Sequence, residues 1–205
     1  MPANRIHLVR HGEVFNPSGV LYGRLPNFHL SDNGKLMAKD AALELKAMKA
    51  DIKAIYASPL IRTQESAKPI EELFKLDAKT DERLIEPWNV FEGKKLSAKN
   101  VALRPHWWWH FRNPVKPAWG ESYKEIIERM EAVIKDAANS VSSGDVVLVT
   151  HQLPIWVMHL HTNGMRLAHD PRKRRCALSS ITTFAFSGET MVEVGYFDPA
   201  KKVTK

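Results

Sequence analysis

The stretch Gly144-Asp145-Val146-Val147-Leu148-Val149-Thr150-His151 decides the fold class. Gly144 and Asp145 turn the chain, and four apolar residues follow without polar alternation, the pattern of a strand covered on both faces. Such a strand needs helices above and below it. From Glu121 to Val141 the spacing predicts a helix that gathers Tyr123, Ile126, Ile127, Met130, Val133, Ile134, Ala137, Ala138 and Val141 on one buried face. Another helix follows Pro154. Nearer the start, Ile6, Leu8 and Val9 make Arg5 to Arg10 a short strand. Met37, Ala41, Leu45 and Met48 recur at three- and four-residue spacing through a helix from Asn33 to Ala50. Ile52 to Ala57 reads as a second strand. Ser58 then reads as a helix cap with Pro59 at the first helical position, and Pro69 kinks or divides that helix. Ser179 to Phe186 and Met191 to Phe197 alternate and are split by Ser187 and Gly188, which predicts a hairpin. The expected fold is α/β: a single-domain three-layer sandwich over residues 1–205, with a mostly parallel central sheet and helices on both faces.

Composition agrees with one ordinary globular domain. The chain has 205 residues and is 44% hydrophobic and 26% charged, with no repeat, linker or low-complexity stretch. One cysteine, Cys176, excludes an intramolecular disulfide, and a reducing compartment, the cytoplasm, is the expected location. The thiol reads as inert, although Arg174 and Arg175 beside it would lower its pKa if it were exposed. No apolar run approaches the roughly 20 residues of a membrane span, and Met1 to Ile6 has no signal-peptide core. Membrane partners are not expected. Thirty Lys and Arg against 23 Asp and Glu give a net charge of +7. Much of the C-terminal share lies in the run Arg172-Lys173-Arg174-Arg175 and in Lys201, Lys202 and Lys205. A basic balance favours anionic partners, but the run by itself reads as a solvated face rather than a nucleic-acid site.

Parallel sheets place ligand sites beyond the carboxyl ends of their strands. Three strands here end at reactive polar residues: the first at Arg10 and His11, the second at Ser58 and Pro59 with Arg62 close behind, the third at Thr150 and His151. Two histidines and two arginines on one rim match a phosphoryl group. Guanidinium donors fit phosphate oxygens in a fork, and a neutral imidazole attacks phosphorus. His11 is the candidate nucleophile, with Gly12 allowing close approach of backbone to ligand, and His151 the donor to an equatorial oxygen. A carboxyl must protonate the leaving oxygen and later deprotonate water.

These residues resemble those of a known family. Leu8-Val9-Arg10-His11-Gly12-Glu13 is similar to the signature of the histidine phosphatase superfamily, also called phosphoglycerate mutase-like. Ser58-Pro59-Leu60-Ile61-Arg62-Thr63 resembles its second motif and Val147-Leu148-Val149-Thr150-His151 its third. Tyr22-Gly23-Arg24, with Leu30-Ser31 and Asn33-Gly34, resembles the loop after the first motif. The resemblance implies His11 as nucleophile, with Arg10, Arg62 and His151 holding the phosphoryl. It implies Asn16 as a phosphate contact and places Gly23 and Arg24 in the substrate-binding loop; Gln152, where many members have Gly, is also taken as substrate-binding. Leu84-Ile85-Glu86 fits the family's general acid, Glu86, while a spacing one residue short before Glu92-Gly93 leaves Glu82 and Glu92 open. Family members work without metal or organic cofactor. The chain lacks the added arginine-rich segment of the cofactor-dependent mutases, and it has Val14 where they carry Ser or Thr. A phosphatase acting on a small phosphorylated metabolite and releasing inorganic phosphate is therefore expected, with a phosphoglycerate mutase-type transferase and a catalytically weak phospho-ligand-binding protein as alternatives.

Residues 94–121 stand where the family carries a cap. They hold Arg104, Trp107, Trp108, Trp109, Arg112 and Trp119, which either shape the organic half of the substrate, pack the cap down, or form a homodimer interface. His106 and His110, four apart, lack the carboxylate or cysteine that a metal site would add. Phe15, Tyr22 and His29 are further candidates for substrate contact. His159 and His161 read as satisfied packing residues.

Overall fold

The computed structural model describes residues 3–95, 120–188 and 190–198. The expected cap, with its tryptophans, His106 and His110, lies almost wholly outside them. Six strands form one sheet in the order β3-β2-β4-β1-β5-β6: β1 Arg5–Arg10, β2 Ile52–Ala57, β3 Ala78–Thr80, β4 Asp145–Thr150, β5 Ile181–Ser187 and β6 Thr190–Phe197. β1, β2, β3 and β4 pair in parallel, whereas β5 pairs antiparallel with both β1 and β6. The helices are α1 Asp32–Ala47, α2 Ile61–Phe74, α3 Tyr123–Asn139 and α4 Gln152–Thr162. The architecture is the expected α/β sandwich, because the two faces of the sheet are covered by different helix pairs.

Alternation along the central strands divides the core. Ile6, Leu8, Val146 and Leu148 pack with α3 and α4, while Val9, Val147 and Val149 pack with α1 and α2. Every residue of β4 is buried, as its unbroken apolar run requires. α3 buries the predicted stripe and opens with a capping box between Ser122 and Glu125.

Several local readings need correction. Ser58 and Pro59 do not begin a helix: Leu60 is the N-cap of α2 and has no side-chain cap bond. The Ser58 carbonyl instead accepts from Thr63 Oγ1 (2.8 Å) and Gln64 Nε2 (2.7 Å). Pro69 sits inside α2 without dividing it. Ser66, Ala67 and Ile70 bury the helix on both sides of the proline, so packing outweighs one lost backbone bond. α4 starts at Gln152 rather than after Pro154, because Pro154 falls in the first turn, where a missing N–H leaves no orphan. The three-residue β3 and a 3-10 turn at Glu82–Leu84 are too short for any periodic signal.

Asp145, at the opening end of β4, ties that end of the sheet together. Its carboxylate accepts from Arg5 Nε (3.1 Å), Arg5 Nη2 (2.7 Å) and the Asp51 amide (3.1 Å), and His7 Nε2 approaches to 3.5 Å. Burial alone would raise its pKa, but His7 and Arg5 outweigh that and hold it at about 2, below the ordinary 3.8. Its depressed pKa gives stability that is present above pH 3.8 and lost as pH falls through about 2, worth about 2 kcal/mol. Asp145→Asn is expected to cost about that much and to lower Tm by about 4–8 °C in a thermal melt near neutral pH. The gap between variant and wild type should close as both are taken down towards pH 2.

Candidate active site

Strand register brings the three motifs together. Arg10 pairs with Thr150 across β1 and β4, and Ala57 pairs with Val149 across β2 and β4, so His11, His151 and Ser58 leave the sheet at one edge. Backbone bonds extend this alignment past the strands: His11 N donates to Thr150 O (3.1 Å) and Ser58 N to Val149 O (3.0 Å). The His11 and His151 rings lie 5.3 Å apart between centroids, at 62°.

The loop after His11 is fixed by glycines. A Cβ on Gly12 would lie 2.4 Å from the Gly34 carbonyl, and one on Gly34 would lie 2.0 Å from that of Glu13. Gly12 thus serves close packing on the start of α1, where its close approach was expected to be to a ligand. Ser31 caps α1 by accepting from Gly34 N (2.9 Å) and donates to Glu13 Oε1 (2.6 Å), locking the same junction. Ser66 Oγ accepts from Gly12 N at 3.0 Å.

His11 is 2% exposed, and its Nδ1 lies 2.8 Å from the Gly12 carbonyl. A carbonyl only accepts, so Nδ1 carries the proton and Nε2 keeps its lone pair. Burial, then the charges of Arg62 and Arg10, push the His11 pKa well below 6.5. The ring is a free base at neutral pH. His151 is depressed likewise, by burial first and Arg62 second. Its Nε2 lies 2.8 Å from Ser58 Oγ, and its Nδ1 faces both Arg62 Nη2 (3.3 Å) and Glu86 Oε2 (3.7 Å). A hydroxyl donates or accepts, so Ser58 supports either tautomer of His151.

Arg62, fully buried on the first turn of α2, donates from Nη2 to Gly23 O (2.7 Å) and stacks 4.8 Å over the Tyr22 ring. Its Nε and Nη1 are buried without a protein partner among the described residues. Arg10 donates to the Cys176 carbonyl from Nη1 (2.5 Å), and its Nε also lacks one. Buried guanidinium donors without a protein partner, on two arginines whose charges both reach His11, call for an oxyanion.

Thr150 places the carboxyl. Its Oγ1 donates to Leu84 O at 2.6 Å, drawing the 3-10 turn to the end of β4 and leaving Glu86 beside His151. Arg24 Nε donates to the Glu86 carbonyl (2.5 Å), while Glu121 holds Arg24 (3.5 Å) and accepts in turn from Arg129 (2.7 Å). Burial raises the Glu86 pKa above 4.5 against the pull of Arg62, Arg174 and Arg10. Glu92 is otherwise engaged, accepting from the amides of Arg24 (3.0 Å) and Asn89 (3.1 Å), and Glu82 is exposed. Neither lines the cleft that Glu86 shares with Arg10 and His11, whose volume is about 230 Å³.

Gly23 and Gln152 line this cleft, and Arg24 buttresses its wall through Glu86. Asn16 does not line it: the Asn16 amide binds Val20 O (2.8 Å) and Val20 N (3.3 Å) within its own loop. Two residues were missed. Ser58 read locally as a cap, and Arg174 as part of a solvated run, yet Arg174 lines the cleft. Phe15 points to solvent and His29 pairs with Glu65 (2.6 Å), both away from the cleft. Cys176 is buried, and burial pushes its thiol up to about 11. His159 and His161 have carboxylate partners in Glu193 (2.5 Å) and Glu131 (2.8 Å). Among the described residues no group of three or more His, Cys, Asp or Glu is placed to hold a metal ion. No helix among them is long and apolar enough to cross a membrane.

The chain is similar to several known proteins. The chain is 47% identical to an uncharacterised protein of Mycobacterium tuberculosis H37Rv, Rv0525, over 96% of both chains. It is 30% identical to phosphoserine phosphatase 1 of Hydrogenobacter thermophilus over 80% of this chain and 78% of that one. A 2,3-bisphosphoglycerate-dependent phosphoglycerate mutase of Thermoplasma acidophilum is 42% identical, over 38% and 39%. Among solved structures, a phosphoserine phosphatase of Entamoeba histolytica in complex with 3-phosphoglyceric acid superposes with a TM-score of 0.76 at 22% identity, covering 95% and 96%. The profile of the histidine phosphatase superfamily (branch 1) matches residues 6–199, the whole span from β1 to β6 that builds the paired histidines and their arginines, and the chain belongs to that superfamily.

Proposed function

We propose that the protein is a metal-independent phosphatase that hydrolyses a small phosphorylated metabolite through a phosphohistidine on His11. The unprotonated Nε2 of His11, buried between Arg10 and Arg62, is the observation that carries this reading. Arg10 and Arg62 receive the phosphoryl oxygens with the donors they have free. The His11 lone pair attacks phosphorus and the bond to the ester oxygen breaks. Protonated Glu86 gives its proton to the departing alkoxide. Glu86, now a carboxylate, takes a proton from water, whose oxygen attacks phosphorus, and the P–N bond breaks to regenerate His11. In the transition state His151 donates a hydrogen bond from Nδ1 to an equatorial oxygen, while its Nε2 accepts a hydrogen bond from the Ser58 hydroxyl. A single free thiol, buried and weakly acidic, suits the reducing cytoplasm.

The identity to a phosphoglycerate mutase supports a second reading, transfer of the same phosphoryl to another hydroxyl. Phosphate release and isomerisation, followed together on 3-phosphoglycerate with and without a bisphosphoglycerate primer, separate the two. The phosphatase reading expects primer-independent release of inorganic phosphate from 3-phosphoglycerate or from other phosphomonoesters. Rapid isomerisation with negligible hydrolysis favours the mutase.

A further inference from the structure

The Glu86 carboxyl lies 3.7 Å from His151 Nδ1, beyond hydrogen-bond reach, so the backbone that carries it decides where the acid stands. Three carbonyls of that backbone are taken by side chains from outside the turn. Leu84 O accepts from Thr150 Oγ1, Arg83 O from Arg129 Nη1, and Glu86 O from Arg24 Nε. The two guanidiniums meet on one carboxylate. Glu121 accepts from Arg129 Nε (2.7 Å) and Nη2 (3.1 Å) and pairs with Arg24 Nη2 at 3.5 Å. Through these arginines Glu121 grips both ends of the segment 83–86.

Glu121 is itself fixed. The capping box of Ser122 and Glu125 anchors the chain just after it, at the start of α3. Just before it, Gly120 bridges Asn89, and a Cβ on Gly120 would lie 2.4 Å from Trp88 O. The fork to Arg129 sets the plane of the carboxylate, which is 12% exposed. Charge adds to geometry. Burial favours protonated Glu86, while Arg62 of α2, Arg174, Arg10 of β1 and Arg129 of α3 favour its carboxylate. His151 and Tyr22 face the same group. Of those cations, Arg129 is the one that Glu121 pairs with.

Building on the phosphatase reading, we infer that Glu121 is a positioning residue for the general acid: through Arg24 and Arg129 it holds the turn that puts Glu86 beside His151, and its negative charge offsets theirs. Removing that charge leaves two bare cations near an acid that must keep its proton until the ester oxygen departs. Loosening the fork lets the acid drift from that oxygen, and a general acid acts only within hydrogen-bond reach.

The test compares kcat/KM for phenyl phosphate and 4-nitrophenyl phosphate, which present the same ring but leave as oxygens of very different basicity. In Glu121→Gln the phenyl ester is expected to lose about tenfold, part of what a general acid supplies, and the nitrophenyl ester about twofold or less. The falling limb of the kcat/KM profile for phenyl phosphate should move to lower pH, since the freed cations favour ionised Glu86. Glu121→Asp keeps the charge and should return the limb towards its wild-type position. Arg24→Met cuts one arm at a half-exposed residue, should show the same selective loss, and decides the matter if Glu121→Gln does not fold. With both esters turned over by the wild type, equal losses on the two, or none, overturn the positioning role of Glu121 alone. An unmoved falling limb in Glu121→Gln overturns its electrostatic part. Turnover of neither ester by the wild type overturns the phosphatase reading, and this inference with it.

Discussion

His11→Ala is expected to reduce phosphomonoester hydrolysis by about 10⁴-fold or more, the scale seen when a nucleophile is removed. In the proposed mechanism the imidazole is the group that forms the covalent bond, and the rest of the cleft only prepares for it. Gly12 and Gly34 meet backbone to backbone, so the ring stands on a junction with no slack. The Gly12 carbonyl fixes its tautomer, and burial with Arg62 and Arg10 keeps it unprotonated. Alanine leaves these features in place. The variant should therefore melt near the wild-type temperature and still bind inorganic phosphate through Arg10 and Arg62, while turnover is lost. Activity within about tenfold of wild type would remove His11 from the reaction.

The second large effect belongs to Glu86. Glu86→Gln keeps the shape of the side chain but cannot give up a proton, and it is expected to slow hydrolysis of alkyl phosphates by about 10²- to 10⁴-fold. With 4-nitrophenyl phosphate the loss in kcat/KM should be about tenfold or less, since a nitrophenolate departs without protonation, whereas kcat should fall for every ester because Glu86 also takes the proton from the attacking water. The pH profile supplies a further sign. His11 must be unprotonated, so kcat/KM rises with pH through its lowered pKa, below 6.5. Glu86 must be protonated, so kcat/KM falls as pH rises through its raised pKa, above 4.5. The glutamine variant should lose the falling limb and keep the rising one. Equal losses in kcat/KM on alkyl and aryl esters would assign protonation of the leaving group elsewhere. Glu82→Gln, exposed and off the cleft, serves as the comparison.

What could be read from the sequence follows from how each residue is held. His11, His151 and Arg62 stand directly after strand ends or on the next helical turn, so recognising the strands was enough to place them on one rim. Ser58 was misread because serine followed by proline is a local signature of a helix cap. Its actual partner, the His151 ring, is 93 residues away along the chain. Arg174 was hidden by its neighbours. Four adjacent cations look alike in sequence, and only Asp170, Glu193 and the turn of the backbone send two of them outward and one inward. Asn16 matched a family position, but its amide is spent on Val20. Glu86 could be separated from Glu82 and Glu92 only by the bond from Thr150 to Leu84, which no spacing rule contains.

Rapid mixing of wild-type protein with an aryl phosphate, alkaline quench and peptide mapping by mass spectrometry tests the covalent step itself. A base-stable, acid-labile phosphoryl group on the peptide that carries His11 is expected within the first turnover. Steady phosphate release with no such adduct, or with the adduct on another residue, contradicts it.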